Sequence, residues 1–348
     1  MKSVLVCAAQ APFITGGAEI LVGELRSHLQ RRGFRVDVAA VPFKWYPVSE
    51  IVRQALAWRL LDVTESNGQP VDLVIPTKFP SFLVRHPRKV AWLFHQHREA
   101  YDLYGTEYCS FSDSPEDQQV LQAIHSMDTA ALSECRAVYT ISRNVAARLQ
   151  RYNGLPGTPL YPPPHHLGRY RSDGPGDYLF YAGRLDRLKR LDLAIDALLR
   201  VKGGAKLKIA GAGPLEAELR KQIEGLGVGD RVQLLGFVSA DELLDLYARC
   251  RAALYVPLNE DYGYVTVEAM LSRKPVLTTS DAGGPLEFVT DGVTGLVAEP
   301  DPEALAAAVD RLWELPPARL EEMGQAGRER VAGITWDHVI DTLTEGLS

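Results

Sequence analysis

Short apolar runs alternate with amphipathic stretches along most of the chain. "SVLVCAA" near the N-terminus predicts a strand, and "GGAEILVGELRSHLQRRG" after it predicts a helix, with Ile20, Leu21, Leu25 and Leu29 at helical spacing and Gly33 at its end. "RVDVAAV", "VDLVIP", "KVAWLF" and "AVYTIS" are further strands, with helical stretches between them. After residue 177 the rhythm restarts: strand "YLFYAG", helix "RLDLAIDALLRV", strand "KLKIAG", helix "PLEAELRKQIEGLG", strand "RVQLLG", helix "ADELLDLYARC", strand "AALYVPL". A helix over 265–272, strand "PVLTT" and helices near 285–290 and 303–314 follow. Strand-helix alternation of this kind builds parallel sheets with helices on both faces. Its restart predicts an α/β chain of two doubly wound domains.

The joint falls in "NGLPGTPLYPPPHHLGRYRSDGPGD", residues 153–177, where Pro and Gly break both helices and central strands. The expected domains are 1–168 and 169–334, and the late amphipathic segment at about 335–348 packs back on the first. A length of 348 residues suits two domains better than one core. At 46% hydrophobic and 24% charged, the composition is that of a globular protein. Cys7, Cys109, Cys135 and Cys250 are scattered, with no metal-ligand spacing, which points to a reduced, cytoplasmic protein. The apolar start is too short for a signal peptide, and no run approaches the ~20 residues of a spanning helix.

Charge separates the halves. Residues 1–168 hold 17 Lys+Arg against 15 Asp+Glu, and residues 169–348 hold 21 against 29. Seven of the eight histidines lie in the first part. A basic stripe of the nucleic-acid-binding kind is missing.

In open α/β sheets ligands bind beyond the carboxyl ends of the strands, and that rule filters the motifs. In "FYAGRLDRLKRLDLAIDAL", Arg184 follows the strand at once and Lys189 comes five residues later. A planar fork and a point charge at a strand end suit a diphosphate, although the same residues also read as solvated loop cations beside Arg187 and Arg190. Gly211-Ala212-Gly213 lacks the third glycine of a dinucleotide fingerprint, because Glu216 holds that position, and reads as a tight strand-to-helix turn. Gly16-Gly17 precede the first helix, where backbone N–H groups can meet a phosphate or sugar; an ordinary βα turn has the same pattern. His95 and His97 end the strand "KVAWLF" and suit a substrate hydroxyl or a structural cap. They lack a third zinc ligand at a convincing spacing.

"NEDYGYVTVEAML" places Glu260 and Glu268 around Gly263. Spacing alone means nothing here, because 99/107, 216/224, 314/322 and 321/329 are also glutamate pairs eight apart. The setting is what distinguishes this pair: a strand end, a glycine turn, then a helix start near Tyr264 and Val265 whose N–H groups and dipole favour an anion. Both carboxylates can accept hydrogen bonds from sugar hydroxyls on either side of a diphosphate. Among the 22 aspartates no two are separated by a single residue, so an Asp-x-Asp metal pair is absent and neutralisation must come from cations and backbone dipoles.

The order "GGAE", "AGRLDRLKR", "GAGP", "EDYGYVTVEAM", "KPVLTTSDAGGPLEFVTDGVTGLV" resembles the retaining glycosyltransferases of family four, over nearly the whole chain and most strongly from 179 to 300. The resemblance implies a GT-B fold, two Rossmann-like domains facing a central cleft, the first binding the acceptor and the second the nucleotide-sugar donor. It implies that Arg184 and Lys189 neutralise the donor diphosphate. Glu260 would contact the transferred sugar, and Glu268 would hold the ribose hydroxyls. Gly263, Tyr264 and Val265 would line the sugar and phosphates, Gly16 and Gly17 form the first-domain glycine loop, and Phe237 and Val238 seat the base. It assigns His95 to the reacting sugar, with His97 as the alternative.

The activity so implied is retaining hexosyl transfer from a UDP- or GDP-sugar to a hydroxyl of a glycan, glycolipid or small-molecule acceptor, without metal or other cofactor. Its expected setting is the cytoplasm, in the assembly of cell-envelope polysaccharide. Peripheral contact with the inner face of the membrane is a further expectation, through "EIVRQALAWRLLDV", which also reads as a packed helix. Stabilisation of charge on the leaving diphosphate and domain closure around the acceptor would supply the catalysis. Tyr262 stands where the family more often has Phe, and "MLSRKP" replaces a segment that is often small, so Arg273 alters packing or charge there. A sugar phosphorylase or a nucleotide-sugar epimerase on the same fold, and a non-catalytic sugar-binding module, are the competing readings.

Overall fold

The computed structural model describes residues 1–13 and 16–347. The chain divides into two compact units: Met1–His165 with Ile334–Ser348, and His166–Gly333. The division thus falls three residues before the expected boundary at 168.

The first unit runs β1 (Ser3–Gln10), α1 (Gly17–Arg31), β2 (Arg35–Pro42), α2 (Glu50–Leu60), the short pair β3 (Glu65–Ser66) and β4 (Gln69–Pro70), β5 (Leu73–Pro76), β6 (Val90–Leu93), α3 (Pro115–Ser133), β7 (Ala137–Thr140), α4 (Arg143–Asn153) and β8 (Thr158–Pro159). Parallel pairing gives the orders β2-β1-β5 and β6-β7-β8, and the bridges Val74–Lys89 and Lys78–His95 join the two sets. β1 is central and covered on both faces, which is why Val4, Val6, Cys7, Ala8 and Ala9 are all buried and its sequence is a continuous apolar run. α2 buries Ile51, Ala55 and Trp58, so one face of this stretch is core.

The second unit runs β9 (Tyr178–Ala182), α5 (Leu191–Arg200), β10 (Lys206–Ala210), α6 (Glu216–Leu226), β11 (Val232–Gly236), α7 (Ala240–Arg249), β12 (Ala252–Leu254), α8 (Tyr264–Leu271), β13 (Val276–Thr279), β14 (Gly295–Ala298), α9 (Pro302–Glu314) and α10 (Pro317–Val331). Its parallel sheet has the order β11-β10-β9-β12-β13-β14. In chain order that is 3-2-1-4-5-6, the doubly wound arrangement whose switch point lies between the first and fourth strands, here β9 and β12. In the first unit the winding reverses between β1 and β5.

The expected helix near 285–290 is instead a single 3-10 turn, Gly284–Glu287. Both Phe288 N and Val289 N bond the Pro285 carbonyl, and the chain then closes a turn in which Thr294 N bonds Thr290 O, leaving no room for a second helical turn. Strand β14 and helix α10 were not expected; Gly295 opens the first and Pro317 the second, and both residues read in sequence as breakers.

The last helix, α11 (Trp336–Leu343), returns to the first unit. It buries Trp336, Val339, Ile340 and Leu343. The Trp336 ring stacks on His28 of α1 with centroids 4.5 Å apart. Arg32, just past α1, forks to Asp337 at 2.7 Å and to Asp341. Among the described residues no helix is long and apolar enough to cross a membrane.

Candidate functional site

The switch point of the second unit gathers most of the residues singled out in the sequence. β9 ends at Ala182, and Gly183, Arg184 and the 3-10 turn Arg187–Lys189 follow. Beyond β12 come Asn259, Glu260 and Gly263, then α8 with Glu268. Lys189 Nζ and Glu260 Oε2 form a close ion pair, both side chains about four-fifths buried at 19% and 18% exposure. Lys189, expected as a point charge for the diphosphate, is therefore shared with the carboxylate expected to contact the sugar. Arg184 is exposed, and among the described residues its guanidinium makes no hydrogen bond or ion pair.

Tyrosines that sequence reasoning did not single out support both carboxylates. Tyr255 donates to Glu260 Oε2 at 2.9 Å, and Tyr247 donates to Glu268 Oε2 at 2.8 Å. Both phenols are driven well above their ordinary range by burial first and by the adjacent carboxylate charge second, so they remain protonated donors. Tyr170 is buried beside Glu268 as well and is shifted in the same direction for the same reasons. No sequence signal linked these tyrosines to the glutamates, because in the pattern each reads as an apolar core position.

Gly263 opens α8 with φ 84°. A Cβ there would sit 2.8 Å from the Tyr255 ring and 3.0 Å from Pro285, so glycine is required both by conformation and by space. Val265 is buried and Tyr264 half-buried in the first turn of α8, where the helix itself offers its N–H groups no acceptors. The loop ahead of α8 is pinned to the one after β13: Asn259 N bonds Asp281 O and Glu260 N bonds Ala282 O, each at 2.8 Å, and Gly284 N bonds Glu260 O at 2.7 Å.

Gly211 and Gly213 belong to an interlock of the loops after β9 and β10. A Cβ on Gly211 would lie 1.9 Å from Gly183 O, and one on Gly213 would lie 2.3 Å from Leu185 O. The glycines thus serve the tight turn expected for them and let the Arg184 loop cross their own. The chain of contacts continues outward, with Gly183 N bonding Ala210 O at 2.9 Å and Gly211 N bonding Gly236 O at 2.7 Å. Phe237 follows at once and is 90% exposed, an uncovered aromatic at the carboxyl edge of the sheet, with Val238 half-buried beside it in the chain.

In the first unit, Gly16 is the N-cap of α1 and Gly17 its first residue. Glu19 Oε2 accepts from Gly16 N at 2.9 Å, and its other oxygen pairs with Lys78 Nζ at 2.6 Å. Lys78 follows β5, so this ion pair spans the first unit's own switch point. His95 lies two residues past β6 and is half-buried, with Nδ1 2.9 Å from the Gln96 carbonyl oxygen. His97 sits differently. Its ring packs between Phe79 and Phe111, with centroids 5.5 Å and 6.0 Å away, and its Nε2 is buried with no partner among the described residues. Burial pushes its pKa down to about 4, against the opposing pull of Glu99.

Comparison with known proteins fits this architecture. Residues 168–330 match the family described as Glycosyl transferases group 1. An alpha-1,3/1,6-mannosyltransferase of Homo sapiens is 32% identical over 169 residues, spanning 44% of this chain and 40% of that protein's own length. An uncharacterized glycosyltransferase of Methanocaldococcus jannaschii is 25% identical across 97% of this chain and 96% of its own. Among solved structures, a sucrose-phosphate synthase from Thermosynechococcus elongatus superposes with a TM-score of 0.78 at 20% identity, covering 99% of this chain and 98% of that one. Anabaena HepE, in complex with UDP and glucose, gives 0.70 at 19% identity with 99% of each chain covered. The fold is GT-B, and residues 168–330, most of the second unit, match the group 1 glycosyl transferases.

Proposed function

We propose that the protein is a retaining, metal-independent glycosyltransferase that moves a sugar from a nucleoside-diphosphate sugar, UDP- or GDP-linked, to an acceptor hydroxyl. The observation that carries this reading is the pairing of Lys189 with Glu260 at the β9/β12 switch point, with Glu268 one helical turn into α8 and Arg184 exposed alongside in the same loop as Lys189.

Arg184 and Lys189 are assigned to the diphosphate. As the glycosidic bond breaks, negative charge grows on the leaving oxygen, and fixed cations with the first turn of α8 stabilise it without reorganising. Glu260, oriented by Tyr255, accepts from hydroxyls of the transferred sugar, and Glu268, oriented by Tyr247, accepts from the ribose. Phe237 and Val238 are assigned to the base, for which an exposed aromatic face is suited. Gly16, Gly17 and His95 of the first unit keep the roles the resemblance implies. One named relative is a mannosyltransferase and one structural neighbour is in complex with UDP and glucose, which supports a hexose donor.

The test is a panel of UDP- and GDP-sugars, read as release of the nucleoside diphosphate, on the parent chain and on Lys189→Ala and Glu268→Ala. Loss of one charge-assisted contact predicts a fall in kcat of roughly 100-fold or more for Lys189→Ala. Glu268→Ala should weaken donor binding by about 10- to 100-fold. EDTA should leave turnover unchanged. Near-parental rates in both variants, or strict dependence on an added metal, would overturn the assignment.

A further inference from the structure

One residue next to the site has an unusual conformation and an unusually complete set of partners. Arg190 follows the turn Arg187–Lys189 and caps α5 with φ 48° and ψ 44°, in the left-handed region. A non-glycine residue there carries a strain of order 1 kcal/mol, so a glycine would be the easier choice for the backbone alone. Its side chain accounts for what stands there instead. Nε donates to Val256 O at 2.9 Å, and Nη2 donates to Pro257 O and to Thr279 Oγ1, each at 2.9 Å. Nη1 and Nη2 clasp Asp281 in a two-pronged pair at 2.7 Å and 2.6 Å. The fork so ties three segments: the end of β9's loop that carries Lys189, the stretch after β12 that leads to Glu260, and the end of β13. The last two are also stitched by backbone bonds from Asn259 and Glu260 to Asp281 and Ala282. Burial would raise the Asp281 carboxyl, but the hydrogen bonds from Arg190 and Thr279 hold it below its ordinary value, which keeps the clasp ionised.

We infer that Arg190 is a positioning residue for the transfer reaction: its fork to Asp281 and to the Val256 and Pro257 carbonyls sets the separation of Lys189 and Glu260. The inference rests on the nucleotide-sugar reading above. Lys189 is its chain neighbour and Glu260 lies three residues past Pro257, so both reach the site from backbone that Arg190 fixes. Lysine could supply the charge at 190 but not the planar five-donor fork.

The experiment compares the parent chain with Arg190→Gly, Arg190→Lys and Asp281→Asn on whichever nucleotide sugar the parent consumes, measuring kcat, donor KM and thermal unfolding. Glycine suits the left-handed backbone, so Arg190→Gly is expected to fold. Its kcat should fall by about 30- to 100-fold, as a displacement of about 1 Å between reacting groups does, while donor KM moves by less than about threefold. Arg190→Lys should recover less than about a tenth of the lost kcat, and ethylguanidinium added to Arg190→Gly should recover more. Asp281→Asn should lower kcat in the same sense, and it carries the test if Arg190→Gly does not fold. Parental kcat in Arg190→Gly or Asp281→Asn, or a loss that follows the unfolded fraction and is not rescued, would overturn the inference while leaving the donor reading intact. A parent chain that consumes no nucleotide sugar and binds no nucleoside diphosphate would overturn both.

Discussion

His97 illustrates how much two residues of spacing can change. His95 and His97 are indistinguishable as a sequence pattern at the end of an apolar strand, and both end half-buried, yet His95 Nδ1 meets the Gln96 carbonyl while the His97 ring packs between Phe79 and Phe111. The packed ring is held neutral, its pKa lowered by burial from 6.5 to about 4. Between those values the unfolded chain binds a proton that the folded chain does not. The stability associated with neutral His97 is therefore fully present above about pH 6.5 and is lost as pH falls toward about 4. Urea unfolding of the parent should lose about 2 kcal/mol between about pH 7.5 and about pH 5 on this account alone. His97→Gln should lack that part of the loss, and equal pH dependence in the two proteins would refute the assignment. The same burial argument separates the glutamates. Glu260 and Glu268 were legible from their strand-turn-helix setting, but the tyrosines that orient them were not, because a buried Tyr reads like any other core aromatic until its hydroxyl is placed.

Between elements, the loops after β9 and β10 cross so closely that they form one structure. Gly213 lies under the Leu185 carbonyl, and Leu185 N in turn bonds Ala212 O at 3.1 Å. Gly213→Ala would drive a methyl to 2.3 Å from a backbone oxygen. Backbone on both sides must then move, so a loss of about 3 kcal/mol or more is expected. Because the Leu185 side of the crossing carries Arg184, nucleotide binding should weaken in the same variant. Chemical denaturation and calorimetry with UDP and GDP read the two effects, and an unchanged midpoint would remove the interlock from the account. Elements of this kind were legible where a glycine or a periodic apolar face marked them, as at α1, α5 and α7. They were illegible where the deciding contact was long-range. β14 is too short to alternate, α10 opens on the second of two consecutive prolines, and the helix expected near 285–290 stops after one turn because the chain folds back at Thr290.

At the scale of the molecule, the α11 segment connects sequence position with unit membership. It follows the second unit in the chain and belongs to the first. Its hold is mostly apolar: Trp336, Val339, Ile340 and Leu343 are at most 6% exposed, and the Arg32 fork to Asp337 and Asp341 lies on the exposed rim, where ion pairs add little. Removing the Trp336 side chain should cost about 3–5 kcal/mol, and the cost should be local, because its ring contacts are His28 and Trp92 of the first unit. Amide hydrogen exchange resolves this by segment. In Trp336→Ala, α1, β6 and α11 should exchange faster, while residues 183–190 and 258–268 keep their parental rates. Adding a nucleoside diphosphate at about 100 times its dissociation constant stabilises whatever binds it by about 2.7 kcal/mol. That protection should appear in residues 183–190 and 258–268 in parent and variant alike. Protection confined to the first unit would move the donor site away from the β9/β12 switch point, and with it the roles given to Arg184, Lys189, Glu260 and Glu268.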